Sequence, residues 1–117
     1  MRYARQRVLP EIGDAGQAAL ASARILVIGA GGLGSPALLY LTAAGVGLKD
    51  AGGCIGIVDE DSVDLSNLQR QILFTEADEG SSKTTVAASR LQALNSDTDI
   101  RMFQTRLSTE NVLEIFS

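Results

Sequence analysis

Asn67, Arg70 and Lys83 carry side chains of the kinds that can meet phosphate oxygens: an amide, a planar guanidinium fork and a mobile ammonium. Singly, each would be a solvated surface group. Their position gives them weight, because they follow a glycine loop (Gly29-Ala30-Gly31-Gly32-Leu33-Gly34) and an acidic run (Val58-Asp59-Glu60-Asp61). Gly29, Gly31 and Gly34 stand in the spacing G-x-G-x-x-G. Glycines there let the backbone approach a phosphate, and the helix that follows offers free N–H groups and partial positive charge. Without a ligand the same residues would make a tight strand-to-helix turn. Asp59 closes an apolar run, where an acid can bind ribose hydroxyls; its plainer role is to cap a turn. Asp61 is placed either to help or to face solvent, and Glu60 and Asp64 read as solvated charges. A dinucleotide is held by backbone N–H groups and one acid. A triphosphate under attack needs more, since charge shifts among its oxygens. The ordered set therefore describes a whole nucleotide whose phosphate charge is met.

Residues 24–28 (Arg-Ile-Leu-Val-Ile) form a short branched apolar run that reads as a buried parallel strand. Ser35-Pro36 opens a helix, with proline suited to its first turn, and Gly45-Val46-Gly47 stops it. Residues 54–58 form the second strand, and a helix is expected from Ser82 to Leu94. Residues 100–107 read as a third strand, and Ser108 can cap a last helix through Phe116. Residues 2–20 are helix-prone, with breaks expected at Pro10, Gly13 and Gly16. Residues 48–53 read as an exposed, mobile loop at the amino end of the second strand, away from any ligand. This order predicts an α/β, Rossmann-like doubly wound parallel sheet, joined by right-handed crossovers. Residues 1–117 are read as one domain, a three-strand N-terminal half of a larger fold, because such a sheet normally continues beyond its first strand.

Composition narrows the chemistry. The net charge of −4 argues against a nucleic-acid binder driven by phosphate neutralisation. No apolar run approaches the ~18 residues of a membrane span, and the polar start shows no secretory signal. A single cysteine, Cys54, excludes an internal disulfide and suits a cytoplasmic setting. It is expected to be a small core residue. With no histidine, any reaction proceeds without an imidazole base. Tyr3, Tyr40, Phe74, Phe103 and Phe116 are expected to pack, and Arg2, Arg5 and Arg7 to form a solvated helix face.

Together these residues resemble the MoeB/ThiF/HesA adenylyltransferases, relatives of the ubiquitin-activating enzymes. The resemblance starts at Arg2-Tyr3-Ala4-Arg5-Gln6 and Leu9-Pro10-Glu11-Ile12-Gly13. It runs through the glycine loop, Ala44-Gly45-Val46-Gly47, Val58-Asp59-Glu60-Asp61, Ser66-Asn67-Leu68-Gln69-Arg70-Gln71, Gly80 and Lys83 to Leu94-Asn95. It implies ATP on the Gly31-Gly32 loop with Asp59 on the ribose. Asn67, Arg70 and Lys83 would contact the phosphates, and Asp61, Ser66 and Gln69 would join the site. Arg5 would reach the nucleotide of the other subunit of a homodimer. The resemblance further implies adenylation of the C-terminal glycine carboxylate of a ubiquitin-like sulfur-carrier protein. Mg2+ is expected with the ATP, its protein ligand lying outside this chain. Arg5, Arg70 and Lys83 would be the catalytic side chains.

The chain departs from the family pattern at residues 48–53, which look inserted, and at Ser82, which stands where proline is usual. Two other readings compete: an NAD- or FAD-binding oxidoreductase half-domain, and a non-catalytic nucleotide-binding remnant.

Overall fold

The computed structural model describes residues 2–31, 34–64, 66, 68, 73–106, 108, 111 and 115. Three strands, β1 (Arg24–Ile28), β2 (Cys54–Val58) and β3 (Ile100–Phe103), form one parallel sheet in the order β1-β2-β3. Ile25 pairs with Ile55, Val27 with Ile57, and Ile55 with Ile100. The parallel order predicted from the sequence is the one observed. Helix α3 (Gly34–Ala43) connects β1 to β2, and α4 (Lys83–Leu94) connects β2 to β3. Both crossovers step the same way, so equal handedness places the two helices on one face, and they touch each other there.

β2 is buried along its whole length, as expected of a central parallel strand. Ile55, Ile57, Leu38 and Leu91 are the large residues closing the core between sheet and helices. β1 is less covered. Its ends are exposed, and among the described residues it pairs on one side only.

β3 ends at Phe103, shorter than the strand expected over residues 100–107. Its partner β2 stops at Val58, and the last bond between the two segments runs from the Asp59 N–H to the Phe103 carbonyl at 3.2 Å. The Thr105 N–H instead turns back to the Phe103 carbonyl at 2.8 Å. α3 stops as expected. The Gly45 N–H reaches the Thr42 carbonyl and the Val46 N–H the Leu41 carbonyl, a Schellman ending with Gly45 at φ +87°.

The N-terminal segment differs from expectation. α1 (Ala4–Arg7) is followed by a break around Pro10 that runs to Gly13, which opens α2 (Gly13–Ser22) at φ +56°, whereas Gly16 lies within α2 and does not interrupt it. Tertiary contact outweighs the poor helix propensity of Gly16. The buried Gln17 donates to the Ala44 carbonyl at 3.1 Å and accepts from Gln6 Nε2, which also donates to Ala44. Asn95 Nδ2 donates to the Tyr3 hydroxyl at 2.7 Å, and Arg2 donates to the Leu94 carbonyl. Arg2 therefore caps the end of α4 and is not merely part of a solvated face.

Residues 48–53 are not a free loop. Lys49–Ala51 form one 3-10 turn. The Leu48 N–H bonds to the Ala21 carbonyl, the Lys49 N–H to the Asp97 carbonyl, and Gly53 is buried. Backbone groups beside two other segments find partners there, so only residues 49–52 stay exposed.

Cys54 is buried, as expected, and so is Phe74, whereas Tyr40 projects from α3 with 75% of its surface exposed. The helix expected from Ser108 lies mostly outside the described residues. Of it, the Ser108 N–H donates to Asn111 Oδ1 and the Ile115 N–H to the Asn111 carbonyl.

Candidate nucleotide site

The glycine loop leaves the carboxyl end of β1 and is fixed at three points. The Gly29 N–H donates to the Val58 carbonyl at 2.7 Å, extending the ladder by one step. The Ala30 N–H donates to Asp59 Oδ2 at 2.7 Å. The buried Ser35 hydroxyl donates to the Ala30 carbonyl at 2.8 Å. Gly29 takes φ +90°, and a Cβ at Gly34 would collide with the Gly29 carbonyl oxygen. The chain can therefore fold back into α3 only because residue 34 lacks a side chain. Ser35 is a positioning group that the sequence reading treated only as a helix start; a hydroxyl in the first turn after a glycine loop was the available signal.

Asp59 bridges two backbone segments. Oδ2 holds the glycine loop, and Oδ1 accepts the Asp61 N–H at 2.8 Å. The turn-capping role weighed for this residue is thus present. A carboxylate has about four lone-pair sites, so two accepted bonds leave acceptor capacity for ribose hydroxyls.

Lys83 opens α4 and is 4% exposed. Its N–H donates to the Asp61 carbonyl at 3.0 Å, and its Nζ stands 3.9 Å from Asp61 Oδ2. The bridge between Ser62 and Ser82 and the Val63 N–H bond to Ser81 bring this lysine back beside the end of β2. A cation at a helix N-terminus opposes the helix dipole. Burying it there costs stability unless an anion meets it. The same segment is anchored further out, where Arg90 of α4 holds Asp78 at 2.9 Å and Thr75 and Asp78 form a capping box.

A cleft of about 200 Å³ opens at this edge. Ile28 and Gly29 line it from β1, Val58, Asp59, Glu60 and Asp61 from β2, and Thr105 and Arg106 from the chain beyond β3. Glu60, read as a solvated charge, is one of its walls. Thr105 and Arg106 were not singled out in the sequence. The rule that ligands lie outside the carboxyl ends of parallel strands was the signal that could have found them.

Ser66 is exposed, and its N–H donates to Asp64 at 2.9 Å. Hydrogen bonding from the Ser66 N–H, then from its hydroxyl, with a smaller contribution from the charge of Lys83, outweighs desolvation and holds the Asp64 carboxyl below its usual range. Asp64 is thus a turn cap, not a bare solvated charge. Gly32, Asn67, Gln69 and Arg70 lie outside the described residues. Gly29, Gly31, Gly34, Asp59, Asp61 and Lys83 gather along the carboxyl edge of the sheet. Arg5 does not join them. It is exposed on α1, which packs on the C-terminal end of α3 through Gln6 and Ala44. The 10 residues of α3, about 15 Å of helix, separate that point from the glycine loop.

A parallel sheet with a glycine loop, an acid ending the second strand and a buried lysine beside it defines an α/β scaffold of Rossmann-like type. The chain belongs to the ThiF family, which it matches over residues 3–117. It is 49% identical over 114 residues to a sulfur carrier protein adenylyltransferase of Thermus thermophilus, covering 97% of this chain and 40% of that protein. It is 49% identical over 115 residues to a probable adenylyltransferase/sulfurtransferase MoeZ of Mycobacterium tuberculosis, covering 98% of this chain and 28% of that one. The fold superposes on E. coli tRNA N6-threonylcarbamoyladenosine dehydratase, TcdA, in complex with ATP, with a TM-score of 0.86 and 28% identity. That likeness covers 98% of this chain and 44% of TcdA. The chain thus spans less than half the length of these relatives. Among the described residues no helix is long and apolar enough to cross a membrane.

Proposed function

We propose that this chain is the nucleotide-holding part of an ATP-dependent adenylyltransferase that activates the C-terminal glycine carboxylate of a ubiquitin-like sulfur-carrier protein. The observation that carries the reading is the placement of Lys83. A buried ammonium at a helix N-terminus, on the same edge as the glycine loop and Asp59, suits the high charge of a polyphosphate, whereas the pyrophosphate of a dinucleotide is held chiefly by backbone N–H groups. The relatives named for sulfur-carrier adenylation support the choice of substrate, and the ATP complex of TcdA supports the choice of nucleotide.

In this reading the glycine loop and the N-terminus of α3 cradle phosphate, and Asp59 takes the ribose hydroxyls. Lys83, with Asn67 and Arg70, meets the phosphate charge, while Asp61, Ser66 and Gln69 complete the surroundings. The carrier's carboxylate attacks the α-phosphorus of ATP. A P–O bond forms, the bond to pyrophosphate breaks, and an acyl-adenylate and pyrophosphate result. The nucleophile is already ionised at neutral pH, so no general base is required, and catalysis rests on positioning and charge stabilisation. Mg2+ would travel with the triphosphate. It needs only one or two carboxylates beside phosphate oxygens, and among the described residues no three metal-ligating side chains converge.

Arg5 stands too far from its own loop to act within one chain, which supports a homodimer in which it serves the neighbour's nucleotide. A cytoplasmic setting fits the carrier chemistry.

Carrier-dependent exchange of labelled pyrophosphate into ATP tests the proposal in the full-length protein. Exchange should require a carrier ending in glycine and should vanish when that carboxylate is amidated. Tight NAD or FAD binding with no exchange would favour the oxidoreductase reading.

A further inference from the structure

Resting on the nucleotide reading above, we infer that Arg106 holds the base, its guanidinium stacking on a face of the ring. Two observations lead there, both in the cleft that Asp59 lines. Arg106 lines that cleft from the far side, beyond β3. Glu60 and Asp61 line the cleft with it, but among the described residues Arg106 forms no ion pair.

The order of groups along the edge sets the identity of the occupant. With phosphates on the glycine loop and the sugar on Asp59, the part of the nucleotide that reaches the end of β3 is the base. The backbone is held there. Thr105 bonds back to Phe103 at 2.8 Å, and Asn111 Nδ2 donates to the Arg106 carbonyl at 2.9 Å. A guanidinium is planar and weakly hydrated, so it stacks on a ring face at little desolvation cost.

The test is calorimetric binding of ATP and of ribose 5-triphosphate, which lacks the base, to the full-length protein. The proteins compared are the wild type, Arg106→Ala and Arg106→Tyr. Arg106→Ala should weaken ATP binding by about ten-fold or more and leave ribose 5-triphosphate unchanged. Arg106→Tyr, planar and uncharged, should restore ATP binding to near wild type. Equal losses for both ligands in Arg106→Ala would assign the arginine to the phosphates and overturn the inference. Unchanged ATP affinity in Arg106→Ala would make it a surface charge and overturn it too. A wild-type protein that bound no ATP would instead overturn the nucleotide reading and this inference with it.

Discussion

Asp59 Oδ2 accepts the backbone N–H of Ala30 at 2.7 Å, so the acid at the end of the second strand holds the glycine loop that follows the first. The two halves of the proposed nucleotide site are one hydrogen-bonded unit. Both depend on the parallel pairing of Ile28 with Val58, which sets these segments side by side.

Asp59→Asn should disturb both halves together. One carboxylate oxygen becomes an NH2 group, which cannot accept from Ala30 or from Asp61, and two donors then face each other. A loss of about 1–3 kcal/mol in stability is expected. ATP affinity should fall about ten-fold or more as the ribose acceptor is weakened. Denaturant titration and calorimetry measure the two effects, and unchanged ATP affinity would remove Asp59 from the nucleotide site.

Lys83→Met should separate stability from activity. Methionine keeps most of the buried volume and removes a charge from a helix N-terminus, so stability should be unchanged or increase. Adenylation at saturating ATP should fall about 100-fold or more, and by more than ATP affinity falls, because charge stabilisation in the transition state appears in rate. Arg70→Ala should divide its effect the same way. Normal kcat in both variants would make these residues ordinary surface or packing groups.

Gly34→Ala should be costly despite its small change in volume. The added Cβ meets the Gly29 carbonyl oxygen, which belongs to backbone and cannot swing aside. The loop or α3 must shift, at about 1–3 kcal/mol or more, and ATP binding should weaken along with stability. A variant with wild-type Tm and affinity would show that the turn has slack that this geometry denies.

Asp64 gives a pH signature. Its folded-state pKa is lowered, chiefly by the Ser66 N–H. The stabilisation is therefore present above the unfolded value of about 3.9 and is lost as pH falls through the lower folded value. Asp64→Asn should lower Tm slightly at neutral pH, and the difference should vanish in acid. Because Asp64 is fully exposed, the effect stays small. An Asp64 carboxyl titrating at or above 3.8 by NMR would contradict the assigned turn.

Local patterns in the sequence determined the sheet and one edge of the site. Branched runs bounded by glycines marked β1 and β2, the G-x-G-x-x-G spacing marked the turn between β1 and α3, and Gly45 marked the end of α3. Each of these depends on residues close together in the chain. What the sequence did not determine depends on partners far away. Gly16 sits inside a helix that is tied to the fold where Gln6 and Gln17 meet Ala44, some 38 and 27 residues on. Residues 48–53 are tied down because Ala21 and Asp97 present carbonyls to them. β3 stops at Phe103, level with the end of its neighbour β2 at Val58. The cleft shows the same division. Asp59 was legible as a strand-end acid, but that it grips Ala30, and that Thr105 and Arg106 line the same cleft, follows only from laying three strands side by side. Hydrogen-bond donors and acceptors are written in the sequence, but their pairing is chosen by the fold that brings them within reach.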